Sequence, residues 1–536
     1  MHWVDEVAQR LLQKGRKHVI ASGTSISGQI HIGNAGDVII ADAVARSVRE
    51  KGGEARIIWV ADDVDPLRKI PEQLPKEFDT YLGMPVKDLP DPKTGTKEGF
   101  TGYFIRPFMS DLKELGVEPE IFSGREMYKN GIYEPLILEA LKKGKDIRDL
   151  LERISGSKRS EDWLPFDPVC DKCGKLTPTE AFSLEYSGDK PVVRYRCQGG
   201  VAGKAKVEGC GHEGVADLRN GKLTWRVEWA ARWRILGVTC EPFGKEHAAA
   251  GGSYDTSKVI SKEIFGYDAP EPVIYEHIQV GGRKMSKSLG NVISLRDMLD
   301  VIPPEVVRFF YFRTKAGKHK DFDINKNLKQ LVDTYEHVER LFFGAEQPSP
   351  QEDLETLKRS YVLSQTGGPP QKYFQIPYGH LITIYQIVGE DWDKAKAIMA
   401  RQGQLAGMAE GGVEARTRHK YECAGRWLER FAPPEDKFIL VKEHSQAPEL
   451  AKSLAPEQRA FIKALDEKMG AVEWTAAKIH DAVHDTTVAS GLKAAQGFEA
   501  LYRILVNNTK GPRLGYFLAA LEREWVLERL RAAASA

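Results

Sequence analysis

The sequence predicts an α/β protein: a parallel-sheet domain interrupted by an inserted cysteine-bearing module, followed by an all-helical C-terminal region. Three observations carry this. Residues 18–61 read strand, helix, strand; four of six cysteines fall between positions 170 and 210; and beyond about Asn325 apolar residues recur every three or four positions while strand signals become scarce.

Size and composition set the frame. A chain of 536 residues suggests roughly three or four structural units, each large enough to bury its own core. Its 42% hydrophobic and 29% charged content is ordinary for globular proteins, and no uncharged apolar run is long enough for a bilayer span, so none is expected. A net charge of +1 gives no global pull toward nucleic acid, so any such binding must rest on local basic patches or on shape. Six cysteines are too few for a disulfide scaffold in so long a chain, and a reducing cytoplasm fits best.

The elements follow in order. Val4, Val7, Leu11 and Leu12, interrupted by Asp5, Glu6 and Arg10, read as an amphipathic helix and lack the apolar centre of a signal peptide, so export is not expected. His18 to Gly23 is a β-prone run. The polar stretch Thr24 to Gln29 follows, then a helix through Glu50 with Ile40, Val44 and Val48 on one face, then Gly52-Gly53 and a second strand from Ala55 to Ala61. This is a Rossmann-like βαβ unit, in which the loop after the first strand meets a helix N-terminus whose unpaired N–H groups favour phosphate. His31, Gly33 and Asn34 stand at that junction: an imidazole donor, a residue with no side chain to obstruct a ligand, and a neutral amide donor. Read alone, His-x-Gly also fits a simple cap and turn.

Asp62 and Asp63 lie where the second strand ends, the edge at which parallel sheets bind ligands, and adjacent acids invite a cation; a solvated turn or helix cap fits them equally. Further on, Cys170-x-x-Cys173 with Cys197 and Cys210 suits a tetrahedral Cys₄ zinc site holding a module short of apolar residues. His212 is the alternative last ligand, and unmetallated buried thiols are the alternative to metal. Val273 to Val280 reads as a strand, Gly281-Gly282 as a turn, and Arg283-Lys284-Met285-Ser286-Lys287-Ser288 as a basic loop whose two lysines can surround one polyphosphate. The C-terminal helices are broken at Gly367-Gly368-Pro369-Pro370, Gly411-Gly412 and Pro433-Pro434, with no repeat of fixed period.

The segments Gln29-Ile30-His31-Ile32-Gly33-Asn34 and Lys284-Met285-Ser286-Lys287-Ser288 resemble the two nucleotide-gripping signatures of class I aminoacyl-tRNA synthetases. With Asp62-Asp63-Val64-Asp65-Pro66-Leu67-Arg68-Lys69, Trp225-Arg226-Val227-Glu228-Trp229 and Phe243-Gly244-Lys245-Glu246-His247, the chain resembles class I lysyl-tRNA synthetase along nearly its whole length. The resemblance implies that L-lysine is activated with ATP and Mg²⁺ and then transferred to the 3′-terminal ribose of tRNA(Lys), with tRNA needed before activation. It implies His31, Asn34, Lys284 and Lys287 as catalytic residues and Gly33, Met285, Ser286 and Ser288 as nucleotide contacts. Gly23, Ser25, Trp225, His247 and Tyr275 would form the amino acid pocket with Asp62 and Asp63, although Trp225 and Tyr275 suit core packing as well. Asn34 replaces the second histidine of the general signature, so charge neutralisation there falls to magnesium or lysine.

The implied organisation is a first half of the catalytic domain over 1–90, a connective insertion with the zinc module over 91–220, the second half over 221–300, stem-contact helices over 301–350 and an α-helical anticodon-binding domain over 351–536. Two other readings remain at this point: a class I synthetase for another amino acid such as glutamate, and a catalytically silent tRNA-binding paralogue. No obligate protein partner is inferred.

Overall fold

The computed structural model describes residues 1–70, 74–93, 99–202, 205–285, 291–372, 375–405 and 412–536. They form two compact units, the first comprising Met1–Arg296, Val307–Phe322 and Pro350–Gly368, the second Asp297–Val306, Asp323–Ser349 and Pro369–Ala536.

The first unit is built on a five-stranded parallel sheet. Its strands are β1 (Lys17–Ser25), β2 (Glu54–Asp62), β3 (Glu120–Ser123), β4 (Cys240–Gly244) and β5 (Glu271–Tyr275), in spatial order β5-β4-β1-β2-β3. β1 and β2 pair in register from Lys17 opposite Glu54 to Ser25 opposite Asp62. From β1 the chain builds outward through β2 and β3, then returns to build the other side with β4 and β5. The order therefore reverses between β1 and β4, the position at which open parallel sheets form a ligand crevice beyond their C-terminal edges.

Helix α1 (Trp3–Lys14) buries Val4, Val7 and Leu11, the apolar face expected from its spacing. Helix α2 (Ile32–Glu50) carries the first signature at its start and seals one face of the sheet with Val38, Ile39, Ala41, Val44 and Val48, all wholly inaccessible. Truncating Ile39 to Ala there costs about 2–5 kcal/mol. The short β3 lies inside the 91–220 stretch, which therefore supplies a strand to the main sheet as well as the cysteine module; Glu-Ile-Phe-Ser is too short to announce itself by period.

The single strand expected over Val273 to Val280 is two. β5 ends at Tyr275, and Ile278–Val280 joins a separate small sheet, flanked by Arg283–Lys284 and Lys320–Asp321. The break falls at Glu276, whose N–H leaves the ladder for the Ala316 carbonyl at 3.1 Å. The cysteine module is a three-stranded antiparallel sheet, Thr179–Ser187, Lys190–Cys197 and Glu213–Asp217, tied back by the pairing of Phe166–Pro168 with Gly221–Leu223.

The second unit is helical throughout its described residues, with long helices Leu328–Phe342, Val413–Arg430, Pro456–Met469, Ala476–Ala489 and Ala494–Val506. Phe461, Leu465, Ile479, Leu501, Leu505, Phe517 and Leu530 share one of its cores. Arg529, fully buried beside that core, donates from Nε to the Ile504 carbonyl at 2.7 Å and from Nη1 to the Glu443 carbonyl at 2.5 Å.

Candidate active site

A cavity of about 440 Å³ opens at the reversal point of the sheet. It is lined by the ends of β1, β2, β4 and β5 and by the start of α2. Gly23, Ser25, His31, Asn34, Asp62, Trp225, His247 and Tyr275, all singled out in the sequence, meet there.

His31 is the N-cap of α2. Its Nδ1 accepts from the N–H groups of Gly33 at 3.1 Å and Asn34 at 3.4 Å. Two donors that the sequence reading reserved for phosphate are thus engaged by the chain itself, and a neutral His31 ring carries its proton on Nε2. Gly33 is required by packing: a Cβ there would lie 2.9 Å from the His31 ring and 3.3 Å from Met285 Cε. That second distance brings the two signatures together. The joint is reinforced by a bridge between His31 and Ser294 and by the Ile32 N–H, which donates to the Ile293 carbonyl at 2.9 Å. Lys284 is exposed, with Nζ 3.2 Å from His277 Nε2. Ser286, Lys287 and Ser288 lie outside the described residues.

Asp62 and Asp63 separate. Successive strand residues face opposite ways, and Asp63 turns from the cavity to accept from Ser123 Oγ at 2.6 Å and the Arg125 N–H at 2.7 Å. It fastens the start of the Gly124–Lys129 helix, and burial pushes its carboxyl up to about 6. Asp62 does line the cavity, but its expected cation is supplied internally by the buried Arg232 guanidinium.

That pair belongs to a buried network which sequence reasoning missed. Lys222 Nζ lies 2.5 Å from Asp65 and 2.7 Å from Glu228, and Arg232 lies 3.5 Å from Glu228. Asp65 also accepts from Ser25 Oγ at 2.6 Å, and Tyr128 donates to Glu228 at 3.2 Å. Burial opposes ionisation of Asp65, yet Lys222 and Arg68 hold its carboxyl below the usual range. The signal was present in the Trp225–Leu236 helix, where Glu228 and Arg232 stand one turn apart behind Trp225 and Trp229.

Two further carboxylates face the cavity with no ion-pair partner among the described residues. Asp37, one turn beyond Asn34 on α2, accepts from the Tyr275 hydroxyl at 2.5 Å. Glu241, the second residue of β4, accepts from the indole N–H groups of Trp229 at 3.1 Å and Trp233 at 2.6 Å. Burial pushes the Asp37 carboxyl well above its ordinary value, with Glu241 and Glu246 adding to the effect, and burial likewise raises Glu241. Trp225 stacks on Trp229 at 5.3 Å, and Trp229 meets His247 edge-on at 5.6 Å. Burial lowers the His247 pKa, so its ring stays neutral. The cavity is an aromatic-walled chamber with two unneutralised acids, suited to a ligand bearing positive charge.

In the module, the sulfurs of Cys170, Cys173, Cys197 and Cys210 all lie within 4.8 Å of one another, with Cys170–Cys210 and Cys173–Cys197 each at 3.7 Å. That is too long for a disulfide, whereas zinc–sulfur bonds of about 2.3 Å place the corners of a tetrahedron about 3.8 Å apart. His212 is directed elsewhere, with Nε2 2.9 Å from Asp171.

Residues 1–366 match the family described as tRNA synthetases class I (K), and residues 431–534 match an anticodon binding domain. The chain is 38% identical over 536 residues to a lysine–tRNA ligase of Archaeoglobus fulgidus, covering 99% of this chain and 100% of that one. It is 37% identical to a lysine–tRNA ligase of Methanosphaera stadtmanae, covering 99% of both chains. To lysine–tRNA ligase 1 of Methanosarcina acetivorans it is 38% identical, covering 100% of this chain and 99% of that one.

Proposed function

The chain belongs to the class I tRNA synthetases of type K, and from that membership we propose that it is a lysine–tRNA ligase, using ATP with Mg²⁺ to activate L-lysine and charge tRNA(Lys). The observation that carries the amino acid assignment is the pair of unneutralised acids, Asp37 and Glu241, in one aromatic chamber under the signature helix. Lysine has two ammonium groups and the chamber offers two acceptors. Glutamate would bring a third carboxylate toward them, at a cost that burial magnifies.

The chemistry follows from the same residues. The lysine carboxylate is already a nucleophile, so no general base is required for its attack on the α-phosphate of ATP; pyrophosphate leaves. Catalysis is then alignment and charge stabilisation. His31 donates from Nε2, Asn34 from its amide, and Lys284 and Lys287 bring positive charge to the phosphates, while Gly33, Met285, Ser286 and Ser288 frame the nucleotide. Gly23, Ser25, Trp225, His247 and Tyr275 hold the amino acid. Mg²⁺, when bound with ATP, supplies further neutralisation of phosphate charge. The four thiolates fit Zn²⁺, which would hold the inserted module together.

For the tRNA, support comes from a cavity of about 530 Å³ within the helical unit, where Lys329, Arg340, Lys510 and Arg513 stand with Tyr516 among the acids Asp333, Glu336, Glu435 and Asp436. Basic side chains beside an exposed aromatic ring suit an unstacked nucleotide of the anticodon loop. Pyrophosphate exchange measured with each amino acid, with and without tRNA, tests the whole reading. Lysine alone should support exchange, with tRNA present; exchange driven by glutamate, or none with any amino acid, defeats it.

A further inference from the structure

Four of the residues assigned to the amino acid pocket, Gly23, Ser25, Asp62 and Trp225, touch the same buried ionic network. Arg232 grips Asp62, and its Nη1 is the second-nearest neighbour a Cβ on Gly23 would meet, at 3.4 Å. Lys222 holds Asp65, which holds Ser25. Lys222 and Arg232 each stand 6.0 Å from the Trp225 ring centre, backing the wall of the chamber. Glu228 joins the two cations and has no exposure at all. Lys222 arrives on Gly221–Leu223, the strand that pairs with Phe166–Pro168 where the inserted module rejoins the catalytic domain.

The arrangement also sets a charge. Asp62, Asp65 and Glu228 face Lys222 and Arg232, three carboxylates against two cations, and all five are nearly inaccessible to water. Arg68, half exposed at 3.3 Å from Asp65, adds a third cation that solvent screens in part. Counted on the five buried side chains alone, carboxylates outnumber cations by one, and the two buried cations are taken up by Asp62, Asp65 and Glu228.

We propose that Lys222, Glu228 and Arg232 are positioning residues that make this pocket select a cationic side chain: they hold Gly23, Ser25 and Trp225 in place, occupy Asp62 and Asp65, and leave a net negative field that favours the substrate ammonium beyond its direct contacts. The inference rests on the lysine assignment. If that assignment is wrong, the parent chain shows no lysine-dependent exchange, a result obtained before any variant is made.

The test compares E228Q, K222M and K222R with the parent in KM for lysine, KM for ATP, inhibition constant for norleucine, which has the lysine shape without the ε-ammonium, and melting temperature. E228Q keeps the shape of the side chain and removes the surplus charge. It should raise the lysine KM about tenfold, leave the ATP KM and norleucine inhibition within about twofold, and lower the melting temperature, since Lys222 and Arg232 lose a charged partner. K222M frees Asp65 and Ser25 while making the field more negative, so it should weaken lysine and norleucine binding alike, and K222R should recover part of the loss. If K222M does not fold, E228Q decides alone. A lysine KM within about twofold of the parent in E228Q, or an equal loss of lysine and norleucine binding in E228Q, overturns the proposal.

Discussion

At the residue scale, the decisive groups are single acids whose surroundings were invisible in the chain. Asp37 reads as an unremarked polar residue on α2 until Tyr275 is seen to donate to it at 2.5 Å. D37N, which keeps the hydrogen bond to Tyr275 but removes the charge, should raise the lysine KM by tenfold or more, because a charge-assisted hydrogen bond is worth about 1.5–3 kcal/mol. Its ATP KM should change far less; equal changes in both would remove Asp37 from the lysine site. The pH dependence has a definite sign. Burial raises both Asp37 and Glu241, each must be ionised to hold an ammonium, and so lysine kcat/KM should fall as pH drops through a limb lying above the ordinary carboxylate range. D37N should lose part of that limb. That Gly23, Ser25 and His31 share one cavity was legible, because the strand-end and helix-start motifs marked by the resemblance converge there. Glu228, Arg232 and Lys222 were not, because their roles depend on partners far along the chain.

At the element scale, the strand–helix–strand front was legible from period and turn residues alone, whereas β3 and the break at Glu276 were not, since a four-residue strand and a single diverted N–H leave little pattern. Strand alternation explains why two adjacent aspartates have different fates. Asp63, with a carboxyl pushed to about 6 against an ordinary 3.8, binds a proton more readily folded than unfolded, so it contributes stability as pH falls from 6 toward 4 and carries a penalty above 6. D63N should therefore gain on the parent in thermal stability between pH 5 and pH 7.5, by up to about 2 kcal/mol. A gap independent of pH would contradict this. In the inserted module, zinc analysis should find one equivalent per chain. C210S should lose the metal and lower the melting temperature while H212A retains it, since the Cys210 sulfur lies 3.7 Å from Cys170 and His212 faces Asp171. The reverse pattern would make His212 the ligand.

At the scale of the whole molecule, fold class was legible because it rests on repeated local signals: β-prone runs, three-and-four spacing, a cysteine knuckle. The helical unit was legible as helical but not in its ligand chemistry, since Lys329, Asp333, Lys510, Arg513 and Tyr516 come from separate segments of the sequence. R513A should raise the KM for tRNA several-fold with the KM for lysine unchanged when tRNA is saturating, as loss of one RNA contact predicts; an unchanged tRNA KM would place the contact elsewhere.

The inaccessibility of the ions behind the chamber has one more consequence. Added salt reaches exposed lysines and arginines but scarcely reaches Lys222, Glu228 or Arg232. Ionic strength is thus a dissecting tool: raising potassium chloride should strip away the nucleic acid long before it loosens the small amine, so that one titration separates how the two cargoes are gripped.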